Sequence, residues 1–209
     1  MSPALVNDAG QAVPKVLVAV PSGDLVAAGF AQDLALMLGY TTFVRPDMEC
    51  SIANLKGTYL PRARSGLVAW AVERACSHIL WLDGDMRFPK DTLIRLLSHN
   101  EPIVAANYPT RQQPIIPTAR DIERQPIFER QRSEPLDFAS VCGMGVMLTD
   151  MAVFQKIGKP YFAVGYNRTT DDFAGEDTYF CEKARQHGYA VMIDSDLSEH
   201  VRHTGSFEY

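Results

Sequence analysis

The stretch His78-Ile-Leu-Trp-Leu-Asp-Gly-Asp-Met-Arg-Phe-Pro89 decides the fold. Preceded by Ser77, its first half is a short apolar run of the length and composition of a buried strand. The run breaks at Asp83-Gly84-Asp85, and Pro89, suited to a first helical turn, opens a helix that reaches Leu97. The same order stands upstream. Lys15–Val20 is a β-branched run that ends at Pro21-Ser22-Gly23-Asp24, and Leu25–Leu38 follows with apolar residues at helical spacing. A short strand is predicted over Tyr40–Arg45, then a polar loop, then a helix from Leu60 to Cys76 with Leu67, Val68, Ala71, Val72 and Ala75 on one side. Glu101–Tyr108 reads as a further strand. This alternation predicts an α/β fold with a mostly parallel central sheet flanked by helices.

Between Pro109 and Pro135 the periodicity disappears, and prolines stand at 109, 114, 117, 126 and 135. A structureless stretch of that length in a compact domain is usually functional or mobile. It carries Arg111, Arg120, Arg124, Arg130 and Arg132 against Asp121, Glu123, Glu129 and Glu134. Those arginines could close over phosphates as a lid that orders on ligand binding. The plain alternative is an excursion packed on the sheet, its arginines paired with the neighbouring acids. Beyond it, Phe138–Thr149 is apolar, Asp150 begins a short helix through Ile157, Gly165–Gly175 is polar, Glu176–Gly188 is helical and Tyr189–Ile193 is the last strand. With 209 residues and neither a repeat nor a linker, the expectation is a single domain over 1–209.

Composition narrows the function. Hydrophobic residues make up 46% and charged residues 22%, values of soluble globular proteins that exclude disordered and collagenous classes. The apolar stretches Val16–Pro21 and Ile79–Leu82 fall far short of the roughly 20 residues that span a bilayer, so no membrane span is expected. The first fifteen residues lack a basic region followed by an apolar one, which predicts a cytoplasmic protein, in the host cytoplasm were it phage-encoded. A net charge of -5 does not attract a polyanion by bulk electrostatics. Cys50, Cys76, Cys142 and Cys181 form no CxxC pair and read as reduced, structural thiols.

Three constellations could carry chemistry. Asp83-Gly84-Asp85 places two carboxylates at the end of a buried strand, where ligands of open α/β sheets gather and where both could meet one cation. Its plain reading is a turn whose aspartates bond their own backbone. Glu176-Asp177 heads a helix, where acidic residues favour the macrodipole; in a cleft, such a carboxylate can act as general base toward a hydroxyl. His200-Val-Arg-His203 follows the last strand and could complete a metal shell begun at Asp85. Other motifs fail on spacing: Gly143-Met-Gly145 has Leu148 where a dinucleotide fingerprint needs its third glycine, and neither GxSxG nor HExxH is present.

The order of these strings resembles the GT-A glycosyltransferases, particularly the family 2-like enzymes common in phages and bacteria. The matching segments are VAVPSGD, LPRARSGLV, HILWLDGDMRFP, VAANYP, GMGVMLTDMAVFQKI, GEDTYFCEKARQHGY and DLSEHVRHTGSFEY, which span Lys15 to Tyr209. The resemblance implies the GT-A fold, transfer of a sugar from a nucleotide-diphosphate donor, with a UDP-sugar favoured, and Mn²⁺ or Mg²⁺ as cofactor. It implies that Pro21 and Asp24 lie near the base, Arg64 near the donor, Asp83 at the ribose, and Asp85 on the metal with His203. It leaves His200 as either a second histidine ligand or a surface residue. It makes Asp177 the base of an inverting reaction and Glu176 a holder of the acceptor, whose hydroxyl could belong to a glycan, a protein or modified DNA. A non-catalytic sugar-nucleotide or glycan-binding module is the alternative from another class. A nucleotidyltransferase ranks third, because no glycine- and lysine-rich loop follows the first strand.

Overall fold

Alternation of burial along the first strand sets the layers. In β1 (Lys15–Ser22), Val16, Val18 and Val20 face one core while Leu17 and Ala19 face another. β3 (His78–Leu82) repeats the division, with Leu80 and Leu82 in the first core and Ile79 and Trp81 in the second. A strand buried on both faces reads as one unbroken apolar run, and that is how both strands appear in sequence. The computed structural model describes residues 13–111, 113–128, 136–167 and 171–205.

The helices divide between the faces. α1 (Ala28–Val44), α3 (Thr92–Ser98) and α6 (Ser195–Ser198) cover the first core through Phe30, Met37, Leu93, Leu96 and Leu197. α2 (Leu60–Glu73), α4 (Met151–Ile157) and α5 (Glu176–Gln186) cover the second through Leu67, Val68, Phe154 and Phe180. After α5, Gly188 adopts φ +86, the left-handed conformation that glycine supplies at a helix C-terminus. No helix among the described residues is long and apolar enough to cross a membrane.

The central sheet has seven strands in the order β2-β1-β3-β7-β5-β10-β6. β2 (Glu49–Lys56), β1, β3, β5 (Ile103–Ala105) and β10 (Val191–Asp194) run together, whereas β7 (Val146–Asp150) and β6 (Leu136–Ala139) run against them. The sheet is therefore mixed, although most of its strands are parallel. Two short ribbons complete the chain. β4 (Met86–Arg87) pairs antiparallel with β11 (Arg202–His203), and β8 (Gly165–Asn167) with β9 (Asp172–Ala174).

Two expectations need correction. Tyr40–Val44 is the last turn of α1 rather than a strand, because Phe30, Asp33, Met37 and Thr41 continue one buried helical stripe past the β-branched pair. The second strand is instead β2, where the sequence suggested a polar loop. As a sheet edge it buries only Ala53 and carries polar residues accordingly.

The proline-rich stretch, over its described part, is a structured excursion on the sheet. The Thr118 N–H donates to the Tyr108 carbonyl at 2.9 Å, and Arg120 N–H to Val141 at 2.8 Å. The Asn107 side chain accepts from Ala119 N–H and donates to the Ile127 carbonyl, each at 2.9 Å, and Ala119 is wholly buried. The packed alternative thus describes this part. The pairing differs from expectation: Arg111 meets Asp85 and Arg124 meets Glu182, while Asp121 accepts backbone N–H groups of Glu123 and Gln125. Glu129, Arg130, Arg132 and Glu134 lie outside the described residues.

Close packing of Tyr108 against the entry to β7 gives a first expected result. The Gly145 N–H donates to the Tyr108 hydroxyl at 2.8 Å, and a Cβ on Gly145 would stand 2.6 Å from that oxygen. Gly145→Ala should destabilise the fold by about 1–3 kcal/mol, the usual cost of overpacking, read as a lower urea midpoint at unchanged m-value. An unchanged midpoint would show that Tyr108 yields without cost.

Candidate active site

β3 ends at Leu82, and the chain leaves the sheet through Asp83-Gly84-Asp85. The Asp83 N–H donates to the Gly145 carbonyl at 3.0 Å, and the Gly84 carbonyl accepts from Ala27 N–H at 2.8 Å, so neighbouring elements fix the turn on both sides. A cavity of about 510 Å³ opens there, lined by Pro21, Gly57 and Leu60 together with Asp83, Asp85, Arg111 and His203. It lies at the carboxyl ends of β1 and β3, where open α/β sheets collect ligands.

Pairing of β11 with β4 brings the C-terminal histidine into the cavity. Met86 stands opposite His203, and the Thr204 N–H donates to the Asp85 carbonyl at 2.9 Å. His203 Nε2 is 3.3 Å from Asp85 Oδ2, and Arg111 Nη1 is 3.0 Å from the same oxygen. Burial pushes the Asp85 carboxyl up, but its hydrogen bond with His203 and the charges of His203 and Arg111 outweigh this and hold it below the usual range. The Nδ1 atom of His203 is 3.3 Å from the Pro109 carbonyl. In the neutral ring with its one proton on Nδ1, the hydrogen bond to Asp85 is given up and Nε2 turns a lone pair toward the carboxylate, the form in which the pair could hold a cation.

Asp83 has a different partner. Arg64, from α2, is 2% exposed; its Nη2 donates to Asp83 Oδ1 at 2.9 Å and its Nε to Glu176 Oε1 at 3.3 Å. Its guanidinium carbon lies 5.4 Å from the Trp81 ring centre, and Nη1 has no hydrogen-bond partner among the described residues. Desolvation lowers the Arg64 pKa, and the charges of Asp83 and Glu176 more than reverse it. Arg64 therefore does not line the cavity. It joins the turn after β3 to the head of α5 from beneath.

Asp177 lines a second cavity of about 790 Å³ with Thr110, Arg120, Arg124, Tyr166 and Phe173. Burial raises its pKa, and the negative charge of Glu176 raises it further, against the Thr178 N–H and Arg64. The Thr178 N–H donates to Asp177 Oδ1 at 2.6 Å. Thr110 lines this cavity and the next residue, Arg111, lines the first. A carboxylate with a raised pKa beside a cleft suits proton transfer.

Two of the remaining candidates, Asp24 and His200, fall outside this cluster. Asp24 is exposed, paired with Lys56, and not among the residues lining the first cavity, while Pro21 is. His200 is exposed at the end of α6 and lines neither cavity. Among the described residues no three His, Cys, Asp or Glu side chains gather as a ready-made metal cage. The cysteines offer no nucleophile: burial pushes the Cys181 thiol up to about 12 and raises Cys142 as well. Sequence reasoning missed Arg111 as a partner of Asp85 and Arg64 as a bridge, because both contacts are made between distant segments.

No family model and no curated protein matches the chain. Among solved structures it is similar to A197 from STIV, with a TM-score of 0.56, 13% identity and coverage of 94% of this chain and 97% of that one. It is also aligned with a glycosyltransferase involved in the glycosylation of the major capsid of PBCV-1, at a TM-score of 0.47 and 12% identity over 93% of this chain and 95% of that one. A putative glucose-1-phosphate thymidylyltransferase from Bacillus anthracis gives a TM-score of 0.45 and 12% identity over 93% and 88%. At these identities the likeness to A197 is one of fold.

Proposed function

We propose that the chain is a metal-dependent glycosyltransferase of the GT-A type, moving a sugar from a nucleotide-diphosphate donor to an acceptor hydroxyl with inversion. One observation carries the reading: Asp85, His203 and Arg111 converge in a cavity at the strand ends, and Arg64 ties the turn that carries Asp85 to the helix head that carries Asp177. The motif order that resembles GT-A enzymes supports the same assignment.

Asp85 and His203 would hold the divalent cation, Mn²⁺ or Mg²⁺. A carboxylate and an imidazole, completed by phosphate oxygens and water, suit such an ion better than an all-protein cage would. When bound, the cation supplies charge neutralisation to the diphosphate leaving group. Arg111 offers a guanidinium fork to the same phosphates. Asp83, oriented by Arg64, accepts hydrogen bonds from ribose hydroxyls, and Pro21 forms part of the wall for the base. Asp177 holds one oxygen on the Thr178 N–H and takes the acceptor proton on the other, while Glu176 orders the helix head through Arg64.

A donor-hydrolysis screen with UDP-, GDP- and dTDP-sugars, with and without Mn²⁺, tests this directly. Metal-dependent release of nucleoside diphosphate from a UDP-sugar is expected. Asp85→Ala should weaken Mn²⁺-dependent UDP binding by more than about 100-fold and His203→Ala by about 10–100-fold, measured by calorimetry. Unchanged binding in both variants rejects the metal site, and donor binding without any turnover favours the non-catalytic module.

A further inference from the structure

The β8–β9 ribbon presents two aromatic rings to solvent beside the proposed base. Tyr166 and Phe173 stand opposite one another in the antiparallel register, 5.2 Å apart and edge to face. They are 51% and 69% exposed, and both line the 790 Å³ cavity that also holds Asp177. The Tyr166 hydroxyl donates to the Asp171 carboxylate, which fixes that ring across the ribbon. Large aromatic side chains held in water at the mouth of a cleft mark a binding surface.

The polar part of the cavity discriminates among ligands. Arg120 and Arg124 are balanced by Asp177 and Glu182, and Arg124 is paired with Glu182. Among the described residues the wall carries no net positive charge to hold a phosphate backbone, and the chain as a whole is acidic. A sugar ring fits both features. Its axial C–H face is apolar and weakly positive and lies favourably on the negative face of an aromatic ring. Its neighbouring hydroxyls donate and accept in pairs, as arginine forks and carboxylates require.

We infer that the acceptor is a carbohydrate, and that its ring lies on the face of one of the two rings Tyr166 and Phe173, with the other against its edge, while a hydroxyl reaches Asp177. The identification of this sugar as the acceptor rests on the transferase reading above; the presence of a sugar site does not. In that arrangement the aromatic platform sets ring orientation, and the charged groups select the hydroxyl pattern.

Saturation-transfer NMR on the intact chain tests the site without turnover. The probes are maltose, cellobiose, lactose and N,N′-diacetylchitobiose, with a short duplex DNA and a Ser/Thr-rich peptide as competitors. Binding of at least one disaccharide is expected, with transfer strongest at its axial C–H protons. Tyr166→Ala/Phe173→Ala should weaken it by about tenfold or more, with an unchanged thermal midpoint confirming the fold. Failure of every disaccharide to bind, equal binding in the double variant, or displacement by the DNA or the peptide would each overturn the inference. UDP titration with Mn²⁺ on the same wild-type sample separates the two readings. UDP bound with no sugar bound rejects this inference alone, whereas sugar bound with no UDP bound rejects the transferase and leaves a glycan-binding site.

Discussion

Asp177→Asn is expected to lose about 10²–10⁴-fold in turnover, the usual contribution of a positioned general base, while folding at least as well as the wild type. The two effects separate because of where the carboxylate sits. Burial and the neighbouring charge of Glu176 raise the Asp177 pKa, so the folded state disfavours its ionised form. A group whose folded pKa lies above its unfolded value adds stability below the unfolded pKa and loses that contribution as pH rises through the folded one. At neutral pH, ionised Asp177 therefore costs the fold something. Asparagine keeps an oxygen to accept the Thr178 N–H and carries no charge. Its midpoint should equal or exceed the wild-type value at pH 7, and the difference should close as the pH falls through the folded pKa. The acid limb of the wild-type kcat/KM profile should lie above the ordinary aspartate value of 3.8, since it reports the free enzyme's base. Wild-type turnover in the variant rejects the assignment. A variant destabilised at pH 7 would instead show that ionised Asp177 is held favourably.

Local signals made the frame of the molecule legible. The strand, turn and helix of His78–Leu97 are visible because a fully buried strand needs an apolar run and a strand end needs small polar residues. Burial of Lys15–Ser22 follows the same logic. Local signals also misled where tertiary contacts decide. Tyr40-Thr-Thr-Phe-Val has strand composition, yet Met37 and Thr41 keep one helical face on the core, and packing overrides propensity. β7 inserts antiparallel between β3 and β5, an arrangement that no alternation of strands and helices along the chain foretells.

The site divides along the same line. Asp83, Asp85 and Asp177 were legible by place, after a buried apolar strand and at a helix head, although a turn and a helix dipole are ordinary reasons for acids there. Only the resemblance set His203 apart from His200; pairing of β11 with β4 brings His203 to Asp85, whereas His200 is left exposed. Arg64 was hardest to read. An arginine in a helix normally signals a solvated face, and only the assembled structure shows that α2 carries this one inward to Asp83 and Glu176.

That buried position makes Arg64 the site's most sensitive residue for stability. Arg64→Met should cost about 3–5 kcal/mol, because removing one partner of a buried ionic cluster leaves the others uncompensated. Here the remainder is a pair of carboxylates whose side chains are 31% and 13% exposed, with nearby Asp177 adding a third negative charge. Methionine fills much of the volume, so the loss reflects charge more than a cavity. The pH dependence distinguishes the cause. Acid neutralises carboxylates in general, so a loss caused by uncompensated charge should shrink on acidification, whereas a loss of packing should not. The gap between variant and wild type, read from urea midpoints at a series of pH values, should be widest near neutrality and shrink at acid pH. A pH-independent gap would mean that lost packing dominates. Arg64→Lys supplies the complementary result: it restores a charge but has one ammonium in place of a fork whose Nη2 and Nε reach separate carboxylates. Its stability should fall between wild type and Arg64→Met, while donor binding remains impaired because a single ammonium cannot hold Asp83 and Glu176 in register. Full recovery of both by lysine would reduce the role of Arg64 to charge alone.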